Sequence, residues 1–280
     1  MKDLLKADFK RVLKDKLLII TAIIAFAFAF ITPVLYKIII SVSGEPANDI
    51  VMSMLSGAFN AKTQFFGSFS IGNNFGLVAP VLLAIVMCKD FSYGTIRNKI
   101  IAGKSRSSIF MAMFITCSSV FVGIMLIHSF ATLGCSLIFF EYQSAPFTTD
   151  DFKYFIVSLM FEILALIFVS SFLTYLCANM KNVGLVIVVY VAFALSLAMV
   201  GSVIQVALST MGMRSYIEND TLFSMLSFLD RINVATSTMY IGTGTEYTLK
   251  DVLYAILPSL IGITGFLTCG LAKFNKRDIK

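Results

Sequence analysis

The tripeptide Gly103-Lys104-Ser105 has the residue types of a phosphate-binding loop, in which backbone N–H groups and a lysine hold the phosphates of a nucleotide. At the position of the first glycine of that motif the chain has Asn98, and no strand pattern precedes it. Because the motif works only between a strand and a helix, we expect no nucleotide binding and no ATP hydrolysis in this chain.

Two further ionisable side chains lie inside long apolar runs. The only histidine, His128, has no Cys, Asp or Glu at metal-ligand spacing, which favours a packed or pore-facing side chain over a metal ligand. Glu162 is the one acidic residue well inside such a run, and intramembrane charges commonly face a cavity or a partner. Two interpretations stay open for Glu162: a residue of the substrate path, together with His128, or a residue at the membrane boundary.

Five cysteines lie inside or at the ends of apolar runs: Cys88, Cys117, Cys135, Cys177 and Cys269. Their odd number and the lack of a CxxC spacing predict buried thiols, neither a disulfide framework nor a metal site. No nucleophile with a base and no metal cluster is evident in the sequence. We therefore expect no catalytic residues, no bound cofactor and no metal, so the chain is not predicted to be an enzyme.

The composition indicates a membrane protein. Of 280 residues, 58% are hydrophobic and 14% charged, and the mean hydropathy is +0.88. Soluble domains have about 45–50% apolar and about 25% charged residues. The formal net charge of +6 comes with basic residues clustered beside the apolar runs, which indicates membrane topology and not nucleic-acid binding. The sequence predicts one all-α transmembrane domain over residues 1–280.

Apolar runs of sufficient length predict six transmembrane helices. They lie at about residues 17–40, 69–88, 109–133, 155–176, 183–208 and 252–272. Residues 210–251 form a long outer loop that is predicted to contain one short amphipathic helix. Its apolar positions are Leu222, Met225, Leu226 and Leu229.

The N-terminal residues 1–16 are predicted to form an amphipathic helix along the inner membrane surface, so membrane lipid is an expected partner. Its apolar positions are Leu5, Phe9, Val12 and Leu13, and its lysines lie elsewhere around the helix.

Basic residues set the orientation, because Lys and Arg accumulate on the cytoplasmic side of a membrane. Of the 22 Lys and Arg residues, six lie in residues 1–16, five in 89–106, one at Lys181 and four in 273–280. With six spans, all four of these segments lie on the same side of the membrane. The distribution therefore predicts that both termini are cytoplasmic.

Residues 89–106, KDFSYGTIRNKIIAGKSR, form a polar segment between the second and third spans, which we name the basic island. Gly94 and Gly103 bracket a predicted helix over residues 95–102. Its apolar residues fall on one side, and its basic residues, Arg97 and Lys99, lie elsewhere. Such a surface could dock in a protein groove or rest on anionic lipid, and the pattern leaves both open.

The basic island resembles the corresponding segment of permease subunits of ABC-2 type transporters. In that family an acidic residue, usually Glu, precedes a Gly-Thr pair, and an Arg follows near the start of the next span. Asp90, Gly94, Thr95 and Arg106 match these positions, with Asp in place of the commoner Glu. The amphipathic N-terminus, six spans and long loop before the last span extend the resemblance over the whole chain.

The resemblance implies that the basic island is a cytoplasmic coupling helix that binds a separate ATP-binding cassette subunit. The implied contact residues are Asp90, Gly94, Thr95, Ile96, Arg97, Ile100, Ile101 and Arg106. ATP and Mg would then act in that partner, and the chain would pair with a second permease copy or a paralogue.

The resemblance also implies a multi-pass exporter of the bacterial cytoplasmic membrane, of the kind found in peptide-antibiotic resistance and bacteriocin immunity. An apolar, Phe-rich bundle suits an apolar or amphiphilic substrate such as an antimicrobial peptide, a lipid or a drug. The alternative is a stand-alone ion- or proton-coupled secondary transporter. Inverted sequence symmetry and paired intramembrane charges would favour it.

Overall fold

The computed structural model describes residues 1–42, 60–70, 74–142, 148–180, 182–212, 220–235 and 249–276. All the regular secondary structure in these ranges is helical. We number the helices in chain order: α1 Lys2–Leu13, α2 Lys16–Val42, α3 Ala61–Gly67, α4 Asn74–Ser92, α5 Thr95–Ile101, α6 Arg106–Phe139, α7 Thr149–Asn179, α8 Val183–Gly212, α9 Asp220–Ile232 and α10 Leu249–Lys276.

Six of these helices, α2, α4, α6, α7, α8 and α10, are long and apolar enough to cross a membrane. The predicted all-α class is thus confirmed within the described residues, and the six predicted spans correspond to six helices of sufficient length and apolarity. The helices α6 and α7 are longer than predicted, with 34 and 31 residues. At about 1.5 Å per residue they exceed a hydrocarbon core of about 30 Å, so their ends extend past it.

Side-chain caps explain why α6 and α7 begin before their apolar runs. The Ser105 side chain accepts a hydrogen bond from the Ser108 backbone N–H at the start of α6. Thr148 and Asp151 form a capping box at the start of α7. Such caps satisfy backbone donors that an isolated first turn leaves open, so each helix extends through polar residues.

The helices α4, α6 and α7 form the centre of the bundle. α2 packs along α6, α10 packs along α7, and α4 contacts α2, α6, α7 and α8. The outer helices α2, α8 and α10 present large apolar side chains outward, such as Ile23, Val188 and Ile261. In a membrane these side chains meet lipid or another apolar helix.

The close packing of α10 on α7 depends on glycine. A Cβ atom on Gly262 would overlap the ring of Phe168, and one on Gly270 would lie 2.7 Å from Cζ of Phe110 on α6. In contrast, a Cβ on Gly265 would meet no atom within 4 Å. Two glycines on one side of α10 therefore let aromatic rings of neighbouring helices approach its backbone.

The short helix α3 was not predicted: the polar residues 44–64 predict an outer loop between the first two spans, with a short helix near residues 50–59. Asn60 caps α3, and the Ala61 N–H donates to the Glu141 carbonyl oxygen at 3.0 Å. The buried ring of Phe65 stacks on Phe155 with centroids 5.2 Å apart. Buried aromatic contact therefore fixes α3 against α6 and α7. The expected short helix near residues 50–59 lies outside the described residues.

The predicted amphipathic helix in the segment 210–251 is present as α9. Its side chains Leu222, Met225 and Leu229 are exposed, and it packs against α8 and α10. The helical spacing of these apolar residues therefore predicted α9 correctly.

Candidate functional site

The helix α5 of the basic island is short and is bounded by two glycines. Gly94 has φ +68° and Gly103 has φ +76°, a left-handed conformation that favours glycine. Between them α5 runs over Thr95–Ile101, seven residues or about two turns, close to the predicted 95–102. Gly94 and Thr95 are half-buried at its start.

The carboxylate of Asp90, at the end of α4, is buried against α1. The Nη2 atom of Arg11 donates to Oδ2 of Asp90 at 2.6 Å, and Nη1 of Arg11 forms an ion pair with Oδ1. The Asp90 side chain is 1% exposed, whereas that of Arg11 is 32% exposed. In this chain, therefore, Asp90 binds the N-terminal helix and does not offer its carboxylate to the surface.

Two more ion pairs join the N-terminal segment to the same region. Nζ of Lys99 lies 2.6 Å from Oδ1 of Asp8, and both side chains are nearly buried. Nζ of Lys89 lies 2.7 Å from Oδ2 of Asp15, at the junction of α1 and α2. Because α1 is covalently continuous with α2, these pairs tie the basic island to the first span.

The carboxylate of Asp15 accepts hydrogen bonds from both α2 and α4. Its Oδ1 accepts a hydrogen bond from the Leu17 N–H at 3.0 Å, in the first turn of α2, and also one from Lys89. Burial acts to raise the pKa of Asp15, but the hydrogen bonds from Lys89 and Leu17 outweigh it and hold that pKa below its usual value. The junction between α1 and α2 is therefore anchored to α4 by a charged carboxylate.

The other end of the basic island is attached to the C-terminal helix. Nη1 of Arg106 donates to the carbonyl oxygen of Asn275 at 2.8 Å, which places a cation at the C-terminus of α10. The buried ring of Phe274 contacts Phe91 and Phe110 at centroid distances of 6.3 and 5.9 Å. The basic island thus contacts both α1 and α10.

The three isoleucines of α5 do not share one exposed face. Ile96 is buried in the core of this chain and Ile100 is half-buried against that core, whereas Ile101 is 74% exposed. Tyr93 and Arg97 are also exposed. The apolar side of the helical pattern therefore holds α5 on the bundle, and the surface left for a partner is a mixed one around Tyr93, Arg97 and Ile101.

Glu162 is buried near the middle of α7. It follows Thr149 by thirteen residues and precedes Asn179 by seventeen. At about 1.5 Å per residue these separations are about 20 Å and 26 Å. The residues that α7 adds before Phe155 are mostly polar, so Glu162 keeps the same distance from the start of the apolar run and both interpretations of Glu162 stay open.

His128 is buried at the contact of three helices. Its Nδ1 atom lies 2.9 Å from the carbonyl oxygen of Ala25 on α2, and its ring centroid lies 4.6 Å from that of Phe75 on α4. A carbonyl oxygen only accepts, so the contact requires the tautomer with a proton on Nδ1. His128 thus has the surroundings of a packed residue that bridges α6 to α2.

No group of three or more His, Cys, Asp or Glu side chains in the described ranges could hold a metal ion. Three of the five free cysteines, Cys88, Cys117 and Cys177, are buried on α4, α6 and α7. Cys269 is exposed on α10.

The chain matches no protein-family model and has no significant similarity to a curated protein.

Sequence reasoning missed the acidic partners of the island, Asp8 and Asp15. In the structure Asp8 lies one helical turn from both Leu4 and Val12 on the buried side of α1, whereas the predicted apolar side of residues 1–16 contained neither Leu4 nor Asp8. A carboxylate on the buried side of a helix needs a cationic partner. Spacing alone does not say that the partner is Lys99.

Proposed function

We propose that this chain is the permease subunit of an ABC-2 type exporter in the bacterial cytoplasmic membrane, with both termini cytoplasmic. The observation that carries the proposal is the surface of α5 and of Tyr93 just before it: Tyr93, Arg97 and Ile101 are exposed. The buried Ile96 and the ion pair of Lys99 with Asp8 fix α5 to the bundle. Tyrosine and arginine are residue types that are enriched at protein interfaces. The partner is an ATP-binding cassette subunit.

The attachments of α5 suit the transmission of movement. A closing pair of ATP-binding subunits would displace α5 as a rigid body, and α4 and α6 continue from its two ends. The ion pair of Asp90 with Arg11 extends the displacement to α1, and Arg106 extends it to α10. ATP and Mg act in the partner subunit, and a second permease copy or paralogue completes the transport path.

The proposed substrate is apolar or amphiphilic, such as an antimicrobial peptide, a lipid or a drug. The chain has 27 Phe residues, which offer dispersion contacts with few polar anchors. Glu162, buried near the centre of α7, is the proposed polar group of the path. His128 remains a weaker candidate, because α2 already occupies its Nδ1 atom.

Site-specific photocrosslinking tests the proposed partner surface. A photoreactive residue in place of Ile101 should crosslink, in the membranes of the source cells, to a protein that carries a phosphate-binding loop. Ile138 is the matched control, since it is 72% exposed against 74% for Ile101 and lies at the opposite end of α6. Equal crosslinking from both positions, or lipid adducts alone from Ile101, would refute this surface.

The orientation is testable with single cysteines in a version that lacks the five native ones. A cysteine at the exposed Ser107 should be shielded from an impermeant thiol reagent in intact cells, and one at the exposed Asp150 should react. Labelling at Ser107 from outside would contradict cytoplasmic termini.

The secondary-transporter alternative rests on the buried Glu162. It predicts that the purified chain, reconstituted alone, transports substrate in response to a proton gradient and that Glu162→Gln abolishes this transport. The ABC proposal predicts no such transport until the ATP-binding subunit and ATP are added.

A further inference from the structure

The N-terminal helix α1 has two chemically different sides. Leu4, Asp8 and Val12 are buried against the bundle. On the opposite side a row of lysines is exposed, one helical turn apart: Lys2, Lys6, Lys10 and Lys14. We name these four residues the lysine row.

Two nearby carboxylates that could neutralise the lysine row are paired with other lysines. Asp8 faces inward to Lys99, and Asp15 pairs with Lys89. The remaining acid of α1, Asp3, is exposed next to the first lysine of the row. The exposed side of α1 therefore has a strong net positive charge, because its neighbouring carboxylates are paired with the basic island.

An apolar strip borders the lysine row. Leu5 and Phe9 are half-buried, and Leu13, one turn further on, is 60% exposed. Six and seven residues after Leu13, Ile19 and Ile20 are exposed in the first turns of the span α2. The lysine row thus lies on the helix that immediately precedes a lipid-facing span. Lysines beside an apolar strip can reach headgroup phosphates while their stems stay on apolar surface.

We infer that the lysine row binds the phosphate groups of acidic phospholipids at the membrane surface where α1 lies, with Leu13 at the boundary of headgroups and acyl chains. Charge complementarity and the adjacent lipid-facing side chains favour a lipid surface over an acidic protein. The ammonium group is a compact point charge with three donors, which suits headgroups of varied geometry. The inference goes beyond the predicted interfacial helix, because it names acidic headgroups and the residues that bind them, and it does not depend on the transport proposal.

The absence of tryptophan from the sequence allows a direct test. Leu13→Trp places one fluorophore at the edge of the lysine row in the full chain. The protein is reconstituted in phosphatidylcholine, with or without phosphatidylglycerol, and quenching by lipids brominated near the headgroup is measured. We expect stronger quenching with phosphatidylglycerol, and a loss of that gain at high salt because ions screen exposed charges.

Variants of the lysine row separate charge from apolar contact. Replacing all four lysines by Gln in the Leu13→Trp background should lower the phosphatidylglycerol-dependent gain by about half or more, and replacing them by Arg should retain it. Should the Gln variant fail to fold, Lys6→Gln with Lys10→Gln is the milder change, with a smaller loss expected. Ile138→Trp, at the other end of α6, is the control, and its quenching should not respond to the lysine changes.

Two outcomes would overturn the inference. Equal quenching with and without phosphatidylglycerol, unchanged in the Gln variant, would mean that α1 makes apolar contact only. Quenching of the Leu13→Trp fluorophore by aqueous acrylamide but not by brominated lipid, in both lipid compositions, would place the lysine row in water or against an acidic protein.

Discussion

The buried ion pair between Arg11 and Asp90 should be a major structural tie between the N-terminal helix and the rest of the chain. Removing one partner of a buried pair typically costs about 3–5 kcal/mol, because the other charge stays buried and uncompensated. The Asp90 side chain is 1% exposed, but that of Arg11 is 32% exposed, so solvent reduces the loss. The charge that Asp90→Asn leaves unpaired is that of Arg11, so we expect the free energy of unfolding to fall by about 1–3 kcal/mol.

The exposed pair Lys153–Asp150 is a matched control within the chain. Its side chains are 75% and 68% exposed, and it joins residues three apart in α7. Exposed pairs of this kind contribute little to stability, because solvent screens both charges. Asp150→Asn should therefore change the free energy of unfolding much less than Asp90→Asn.

The assay is denaturant unfolding of the purified full chain in detergent micelles, followed by the loss of helical circular dichroism. The variants are Arg11→Asp, Asp90→Arg and the double charge reversal. Each single reversal places two like charges together, whereas the double variant restores an ion pair with the opposite polarity. We expect the double variant to regain at least half of the stability lost by the worse single one. If Asp90→Asn is as stable as Asp150→Asn, or if the double reversal shows no recovery, the pair is not the tie that we describe.

Three further predictions concern packing, the proposed path and pH. Gly262→Leu should destabilise the fold by about 1–3 kcal/mol, because the new side chain meets the ring of Phe168. Gly265→Leu is the control: it faces open space and should cost less than about 0.5 kcal/mol. Thermal unfolding of both variants measures the difference. Glu162→Gln should change transport, or substrate-stimulated ATP hydrolysis by the complex, while the ATP-binding subunit still copurifies; unchanged transport of several apolar substrates would count against a role in the path. The pKa of Asp15 is lowered in the folded chain, so its stabilising effect is present above its unfolded pKa of about 4 and is lost as the pH falls through the lower folded value. Asp15→Asn should consequently lower the unfolding midpoint at pH 7, and by progressively less as the pH falls below about 4; an effect that does not change with pH would contradict this linkage.

Much of the architecture follows from local properties of the sequence. An apolar run of sufficient length must form a helix in a membrane, since each backbone group needs a hydrogen-bond partner within its own segment. The number and order of the six long helices could therefore be predicted. The same holds for α5, because Gly94 and Gly103 adopt conformations that other residues disfavour. The second span begins later than predicted, at Asn74 instead of about residue 69.

The partners of the charged residues depended on the tertiary structure. Arg11 and Asp90 are 79 positions apart, and Asp8 and Lys99 are 91 apart, so helical spacing contains no information about either pair. For the same reason the sequence did not determine which side of α5 faces the bundle. An amphipathic pattern shows that a helix has two unlike sides, but not whether the apolar side meets lipid, a partner or its own bundle. The packing of α1, α4 and α6 decided that Ile96 and Asp90 face inward and that Ile101 and the lysine row face outward. Only the tertiary structure could decide this, because burial depends on what surrounds a side chain and not on the side chain itself.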